Sequence, residues 1–362
     1  MAKGELTVSS KLRAVVSSSA AALCATLVIA GCGSGGAEPS SSETSGKLTV
    51  ALGSTNSDIN NFIALEKGYF KAQGLHVDLQ ADAGANTTSL VASGQADIAA
   101  YAITTPLVVA GKGQAVKVIY GTTGAGTSGM LAAGPEIKSI EQLKTVHGCK
   151  IGSFPPGSVV WAYTNMLIND VPLDCEAVPF QNAAAISGAL VSGRVQAVVG
   201  SVPFFSSLID DGKAHWLINT FADPSLTKKY YGPPIPEGAV WGMADNLRSK
   251  KDLIVRYLKA LAQARAFVKD KANTDEVTKI LASQPSFSGM TEDQVRKNVT
   301  EINQVYQYAW GHGDGRITNE QWDAVLKVAG SGAVPGYKAG EKAFSYPSMV
   351  DMSYLDQALA SR

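Results

Sequence analysis

The run Leu90-Val91-Ala92-Ser93-Gly94-Gln95-Ala96-Asp97-Ile98-Ala99-Ala100 joins the last turn of a helix, a Ser-Gly stop and a short apolar strand. Much later the chain repeats the step as Leu190-Val191-Ser192-Gly193-Arg194-Val195-Gln196-Ala197-Val198-Val199-Gly200. Glycine ends a helix because it takes the left-handed conformation at little cost. The apolar run behind it suits a strand buried on both faces of a parallel sheet. Each copy falls late in its own strand–helix series, so the pattern points to two similar α/β lobes.

A chain of 362 residues can supply two lobes with cores of their own. Its formal net charge is zero, which argues against nucleic acid as a partner. Lys3, Lys11 and Arg13 precede a small, apolar stretch over 14–30 that ends Leu27-Val28-Ile29-Ala30 and meets Gly31-Cys32. Residues 1–31 therefore read as a secretory signal peptide. Ile29-Ala30-Gly31-Cys32 resembles the bacterial lipobox, whose Cys receives a diacylglycerol group and becomes the new N-terminus. The resemblance makes Cys32 a lipidation site. Residues 32–46 become its flexible tether, reaching about 20 Å from a membrane surface. Beyond residue 46 no apolar run is long enough to span a bilayer.

In the first lobe, strands are expected at 48–52, 75–79, 96–101 and 116–120, with a continuous helix over 59–72. Thr104-Thr105-Pro106 opens another helix, Pro106 standing in its first turn. Gly121-Thr122-Thr123-Gly124 reads as the first crossover between lobes. Gly124-Ala125-Gly126-Thr127-Ser128-Gly129 matches the dinucleotide-binding glycine pattern, but a strand rather than a helix follows it.

The segment Ala64-Leu65-Glu66-Lys67-Gly68-Tyr69-Phe70-Lys71-Ala72-Gln73-Gly74-Leu75 closely resembles the "A-x-x-x-G-(Y/F)-F-x-x-x-G-L" signature of nitrate-, sulfonate- and taurine-type solute-binding proteins. The Leu-x-Ser-Gly-x-x-Asp-Ala pattern around Gly94 and Gly193 resembles the same family. Gln196 stands where the family often has Asp, a position read as structural. The resemblance covers roughly residues 47–270 and implies a type II periplasmic-binding-protein fold: two lobes, each a mostly parallel sheet flanked by helices, with extra C-terminal helices. Lobe 1 is assigned 47–121 plus 238–362, and lobe 2 is assigned 122–237.

Within lobe 2, Ser139 and Gln142 have capping-box spacing. Strands are expected at 150–154, 175–180 and 195–199, with helices over 158–169, 183–192 and 204–211. Of the four cysteines, Cys24 leaves with the signal peptide and Cys32 carries lipid. Cys149 and Cys175 each precede an apolar strand in a strand–helix–strand unit, at the same end of two expected parallel neighbours. In an oxidising compartment a disulfide is the favoured reading. His147 alone could not complete a metal site with them. Residues 223–237, rich in Pro and Gly, read as the return linker, and 239–244 as a strand rejoining lobe 1. Ser249-Lys250-Lys251-Asp252 has capping-box spacing before a helix carrying Leu253, Ile254, Tyr257, Leu258, Leu261 and Phe267. Helices follow near 274–283, 291–309 and 318–329, and the tail from Gly330 reads as irregular. His312-Gly313-Asp314-Gly315-Arg316 resembles half a calcium loop, but Trp310 and Gln321 cannot fill its first and last positions, so a helix-connecting turn is expected.

In open α/β sheets ligands bind beyond the carboxyl ends of the strands. Applied to both lobes, the rule collects Ser54, Thr55, Asn56, Thr104, Thr105, Thr122, Thr123, Gly157, Ser158 and Ser201. Taken singly, each is better read as an N-cap; their clustering at strand ends points to a ligand. These loops contain no Arg or Lys, so a compact anion would be held by hydroxyls, amides and helix N-termini. Trp161, Phe204 and Trp241 are candidate apolar walls, with core packing an equal alternative.

The family resemblance implies an extracytoplasmic lipoprotein that captures a small anionic organic solute, like a sulfonate, taurine or nitrate, by hinge closure. It further implies an ABC permease and ATPase as partners, a monomer, and no cofactor or metal. A receptor for a thiamine-precursor-like pyrimidine or another aromatic solute is the alternative. An enzyme of the thiamine-pyrimidine-synthase type is a further one. Those enzymes carry a Cys-rich motif and a substrate histidine; this chain has no cysteine cluster, and none of its four histidines falls in an expected cleft loop.

Overall fold

A computed structural model describes residues 46–360 except 54, 82–83, 124–127, 310–312 and 333. The signal peptide, Cys32 and nearly all of the tether lie outside the described residues. Strands β1 (Gly46–Leu52), β2 (Leu75–Gln80), β3 (Ile98–Ala102), β4 (Val116–Thr123) and β10 (Gly238–Met243) build one sheet, in the order β2-β1-β3-β10-β4. Strands β5 (Met130–Ala133), β6 (Cys149–Ser153), β7 (Cys175–Pro179), β8 (Ala197–Gly200) and β9 (His215–Ile218) build the other, ordered β7-β6-β8-β5-β9. The chain passes between the sheets after β4 and again after β9.

The two orders superimpose. β1 runs parallel to β2 and β3, as β6 does to β7 and β8. In each sheet the fourth position holds a strand delivered by a crossover, antiparallel to both neighbours: β10 in the first, β5 in the second. Each sheet is thus mixed, with four of its five strands pointing one way, because a strand entering from the opposite lobe arrives at the other end. The repeated helix stop takes the expected backbone, with φ 75° at Gly94 and 70° at Gly193.

Several local expectations change. The helix foreseen over 59–72 is two helices, Thr55–Glu66 and Tyr69–Ala72, because Gly68 at φ 70° breaks the ladder. Ser249 caps nothing: a short helix, Ala244–Ser249, runs almost directly into Lys251–Lys269, and the Ser249 hydroxyl donates to Asn246 O instead. The return linker contains a helix, Ser225–Tyr231. The tail read as irregular contains the helix Ser353–Ala360, which buries Tyr354, Leu355 and Ala358 against Lys251–Lys269. Between the helices Glu292–Ala309 and Asn319–Ser331, the chain turns at 313–315, where Asp314 Oδ1 accepts from Arg316 N at 2.9 Å.

Lys251–Lys269 buries Ile254, Tyr257, Leu258 and Leu261 and packs across Thr55–Glu66, beside the first sheet. Asn319–Ser331 packs instead on the helix Val159–Asp170, beside the second sheet. Cys149 and Cys175 face each other across β6 and β7, with Cα atoms 4.3 Å apart, and form the expected disulfide. Among the described residues no helix is long and apolar enough to cross a membrane.

Candidate ligand site

β1 and β3 of the first sheet, and β6 and β8 of the second, end toward one another. Between them lies a cavity of about 640 Å³, walled by both lobes and by a C-terminal loop. Two glycines let aromatic rings pack closely at the strand ends beside it. A side chain at Gly53, just past β1, would overlap the Tyr101 ring, and one at Gly200 would press on Phe205 and Phe204.

The first lobe contributes Asn56, Tyr101, Thr123 and Glu237. Asn56 stands in the first turn of Thr55–Glu66, where its Oδ1 accepts from Asn298 Nδ2 at 3.0 Å and its Nδ2 has no hydrogen-bond partner. Burial, and secondarily the Asp58 carboxylate, push the Tyr101 phenol up to about 12. Glu237 directly precedes β10 and is 2% exposed. Its main-chain oxygen accepts from Ile103 N at 2.9 Å, which ties it to the end of β3. Its carboxyl accepts from the Tyr163 hydroxyl; burial first and this neighbouring carboxylate second raise the Tyr163 phenol well above its usual value.

The second lobe supplies three helix starts. Ser158, Asn182 and Ser201 occupy the N-cap positions of Val159–Asp170, Ala183–Val191 and Val202–Asp210, and all three line the cavity. Ser158 Oγ accepts from Trp161 N at 3.1 Å and donates to Pro155 O at 2.9 Å. Asn182 Oδ1 accepts from Ala185 N at 2.9 Å. Phe154 and Phe204 form an apolar wall, their ring centroids 5.1 Å apart. The third wall is the loop after Gln284, through Ser286, Gly289 and Met290. It reaches across to the second lobe, where Gly289 O accepts from Ser207 Oγ at 3.2 Å and Gln294 Nε2 donates to Asp210.

Of the residues expected from strand ends, Asn56, Thr123, Ser158, Ser201 and Phe204 come together around the cavity. Thr104 and Gly157 sit outside its lining and bind each other instead, Thr104 Oγ1 donating across the lobes to Gly157 O at 2.7 Å. Thr105 turns its hydroxyl back to Ala102 O, and Thr122 is buried outside the lining. Trp241 is fully buried in the first core, since β10 is a central strand covered on both faces. Trp161 is half-buried and lies outside the lining. Ser54 and the Thr55 side chain lie outside the described residues.

Tyr101, Phe154, Asn182, Glu237 and the 285–290 loop were not foreseen. Glu237 escaped because the strand-end rule was applied only to parallel strands. An antiparallel strand begins on the edge where its parallel neighbours end, and Gly238 pairs with both Ala102 and Thr123. Tyr101 and Phe154 are the last residues of two expected parallel strands, and the rule collects only the loop residues beyond them.

A family model described as NMT1/THI5 like matches residues 56–274. The chain belongs to this family. Among solved structures it is similar to one from Bordetella bronchiseptica RB50, with 21% identity, TM-score 0.71, and 88% of this chain and 98% of that one covered. The alkanesulfonate-binding protein SsuA from Xanthomonas axonopodis pv. citri, bound to MOPS, aligns with 17% identity, TM-score 0.61, and coverage of 87% and 99%. The periplasmic nitrate-binding protein NrtA from Synechocystis PCC 6803 aligns with 15% identity, TM-score 0.62, and coverage of 87% and 88%. At these identities the likeness is one of fold. A comparison of the sequence with curated proteins finds no match.

Proposed function

We propose that this NMT1/THI5-like protein is the extracytoplasmic solute-binding component of an ABC importer. The observation that carries the reading is the cavity itself, walled by both lobes at the binding edge of both sheets. The similarity in fold to SsuA and NrtA supports it. The solute is small and organic, since Phe154, Phe204, Tyr101 and Met290 offer it apolar surface beyond what nitrate needs. Its negative or acceptor-bearing end lies toward the second lobe, where three helix N-termini converge and partial positive charge favours it.

Binding closes the lobes about the crossovers after β4 and β9. Asn56, Thr123, Ser201 and Phe204 are the contacts proposed from the expected set, and Ser158 contributes the helix N-terminus that it caps rather than its hydroxyl. Cys32 carries the lipid that holds the monomer at the membrane beside its permease and ATPase.

A thermal-shift screen of sulfonates, amino acids, pyrimidines and aromatic acids tests the receptor role. A ligand present at a hundred times its Kd should add about 2.7 kcal/mol of stability. A screen in which nothing stabilises the protein would remove the proposal. Cys32→Ala tests the anchor: the protein should leave the membrane fraction or remain unprocessed, and membrane retention of a correctly cleaved variant counts against it.

A further inference from the structure

We infer that the cleft selects an uncharged aromatic solute, whose polar substituents are held by three otherwise idle hydroxyls: those of Tyr101 and Thr123 on the first lobe and Ser201 on the second. The inference rests on the receptor role proposed above and narrows its solute. The hydroxyls that line the cavity fall into two groups. Ser158, Ser187 and Ser207 donate theirs to main-chain oxygens, of Pro155, Phe204 and Gly289. Tyr101, Thr123 and Ser201 are only 6%, 2% and 4% exposed, yet their hydroxyls bond to none of the described residues. Ser201 stands at an N-cap position and makes no capping bond. None of the three is sealed away like the unpartnered Tyr231 hydroxyl, so each opens on the cavity. A buried hydroxyl without a partner costs stability, and a solute that fills the cavity supplies the missing partners.

The positions of the three suit a ring with separated polar groups. In the first sheet β10 lies between Tyr101 and Thr123, Ala239 pairing with the one and Gly238 with the other. Two strand spacings set their main chains about 10 Å apart. Ser201 follows β8 in the other sheet, so the anchors come from both lobes. Phe154, Phe204 and Met290 give the ring itself an apolar wall.

A hydroxyl rotates to donate or to accept, so it can meet a carbonyl, an N–H or another O–H. An anion uses only its donating half and a cation only its accepting half. The described lining residues include no Lys, Arg or His. Lys297 lies in the outer groove beside the cavity, among Asp210, Asp211 and Asp293. Glu237 is the single carboxyl of the described lining, and it is already engaged with Tyr163, a residue buried outside that lining. An ionised solute group would thus leave water without a countercharge set aside for it, which costs far more than burying a neutral polar group.

Calorimetry on the mature protein near neutral pH, with three compounds of one shape, tests this. They are 4-hydroxybenzamide, which is neutral, 4-hydroxybenzoate, which is anionic, and 4-hydroxybenzamidine, which is cationic. The neutral compound should bind at least about tenfold tighter than either ion. Tyr101→Phe, Thr123→Val and Ser201→Ala each remove one hydroxyl and keep the shape. Each should weaken 4-hydroxybenzamide binding roughly 3- to 10-fold. The unliganded Tm should hold or rise, because none of the three breaks a bond of the unliganded fold; a merely structural hydroxyl would lower it. If a variant does not fold, the wild-type affinities still decide. Equal or tighter binding of the benzoate or the benzamidine overturns the inference and leaves the receptor role standing. Undiminished 4-hydroxybenzamide affinity in the folded variants overturns it too. No binding by any of the three compounds overturns it as well, and the wider screen then decides the receptor role separately.

Discussion

The two lobes share one topology but fasten it differently. In the first, Asp97 follows the Gly94 stop and its Oδ2 accepts from Thr49 N on β1 at 2.9 Å. In the second, Gln196 follows Gly193 and its Oε1 accepts from Lys150 N on β6 at 2.8 Å. Each residue also sends its own main-chain N–H to the same neighbour, to Thr49 O at 2.8 Å and Lys150 O at 2.9 Å. The side chain therefore splices helix end to strand start in both lobes, and either a carboxylate or an amide serves. The first lobe can use the charge because Lys250, between the helices Ala244–Ser249 and Lys251–Lys269, forms an ion pair with Asp97. Gln196 spends its amide nitrogen locally, on Gly193 O at 3.5 Å.

By this register, Leu48 corresponds to Cys149. Leu48 faces Val77 across β1 and β2, while Cys149 faces Cys175 across β6 and β7. The first pair is buried, in a lobe covered by Lys251–Lys269. β7 is a sheet edge with every position at least partly exposed. The outer strand of the first sheet is held by an apolar pair; the more exposed outer strand of the second carries a covalent link.

Removing that link should have the largest effect. Cys149→Ala with Cys175→Ala opens a loop of sequence separation 26 and should cost about 3–4 kcal/mol in the chain-entropy model. Hydrogen exchange should localise the loss to the second sheet. A uniform loss over both lobes would break the comparison.

Next in size is the alkaline loss of stability carried by Tyr101 in the first lobe's wall of the cavity. Tyr101 occupies the strand position that Gly200 fills in the second lobe. Its folded pKa of about 12 lies above the ordinary value of 10.0, so its contribution is fully present below pH 10 and is lost as pH rises through 12. Wild type should lose up to about 3 kcal/mol more than Tyr101→Phe across that window. Parallel unfolding curves would show that Tyr101 does not carry it.

The splice comes third. Asp97→Ala strands a strand N–H and breaks the Lys250 pair, and should cost about 2 kcal/mol; Gln196→Ala should cost about 1 kcal/mol. Equal costs in urea denaturation would mean that the ion pair adds nothing.

The smallest expected effect separates the two walls of the cleft. Ser158 already uses its hydroxyl in a cap and a turn, so Ser158→Ala should lower unliganded stability by about 1 kcal/mol and change affinity little. Asn56→Ala, on the opposite wall, should weaken binding more than Ser158→Ala does. A tenfold affinity loss in Ser158→Ala with an unchanged Tm would assign its hydroxyl to the solute.

The amino-acid pattern alone determined the lobes, since apolar runs, glycine stops and caps act over a few residues and repeat. It placed Gly94, Gly193 and the Cys149–Cys175 pair, and it brought Asn56, Ser158 and Ser201 to strand ends. It could not tell Trp241 from a cleft residue, because burial of a central strand depends on what covers both its faces. It also missed the helix Ser353–Ala360, whose apolar residues become legible only against Lys251–Lys269. Tertiary structure alone decided the character of the cavity. Glu237 enters it because β10 runs against its neighbours, and the 285–290 loop because a C-terminal helix pair carries it across to the second lobe. Both are contacts between segments far apart in the chain, and no local periodicity encodes them.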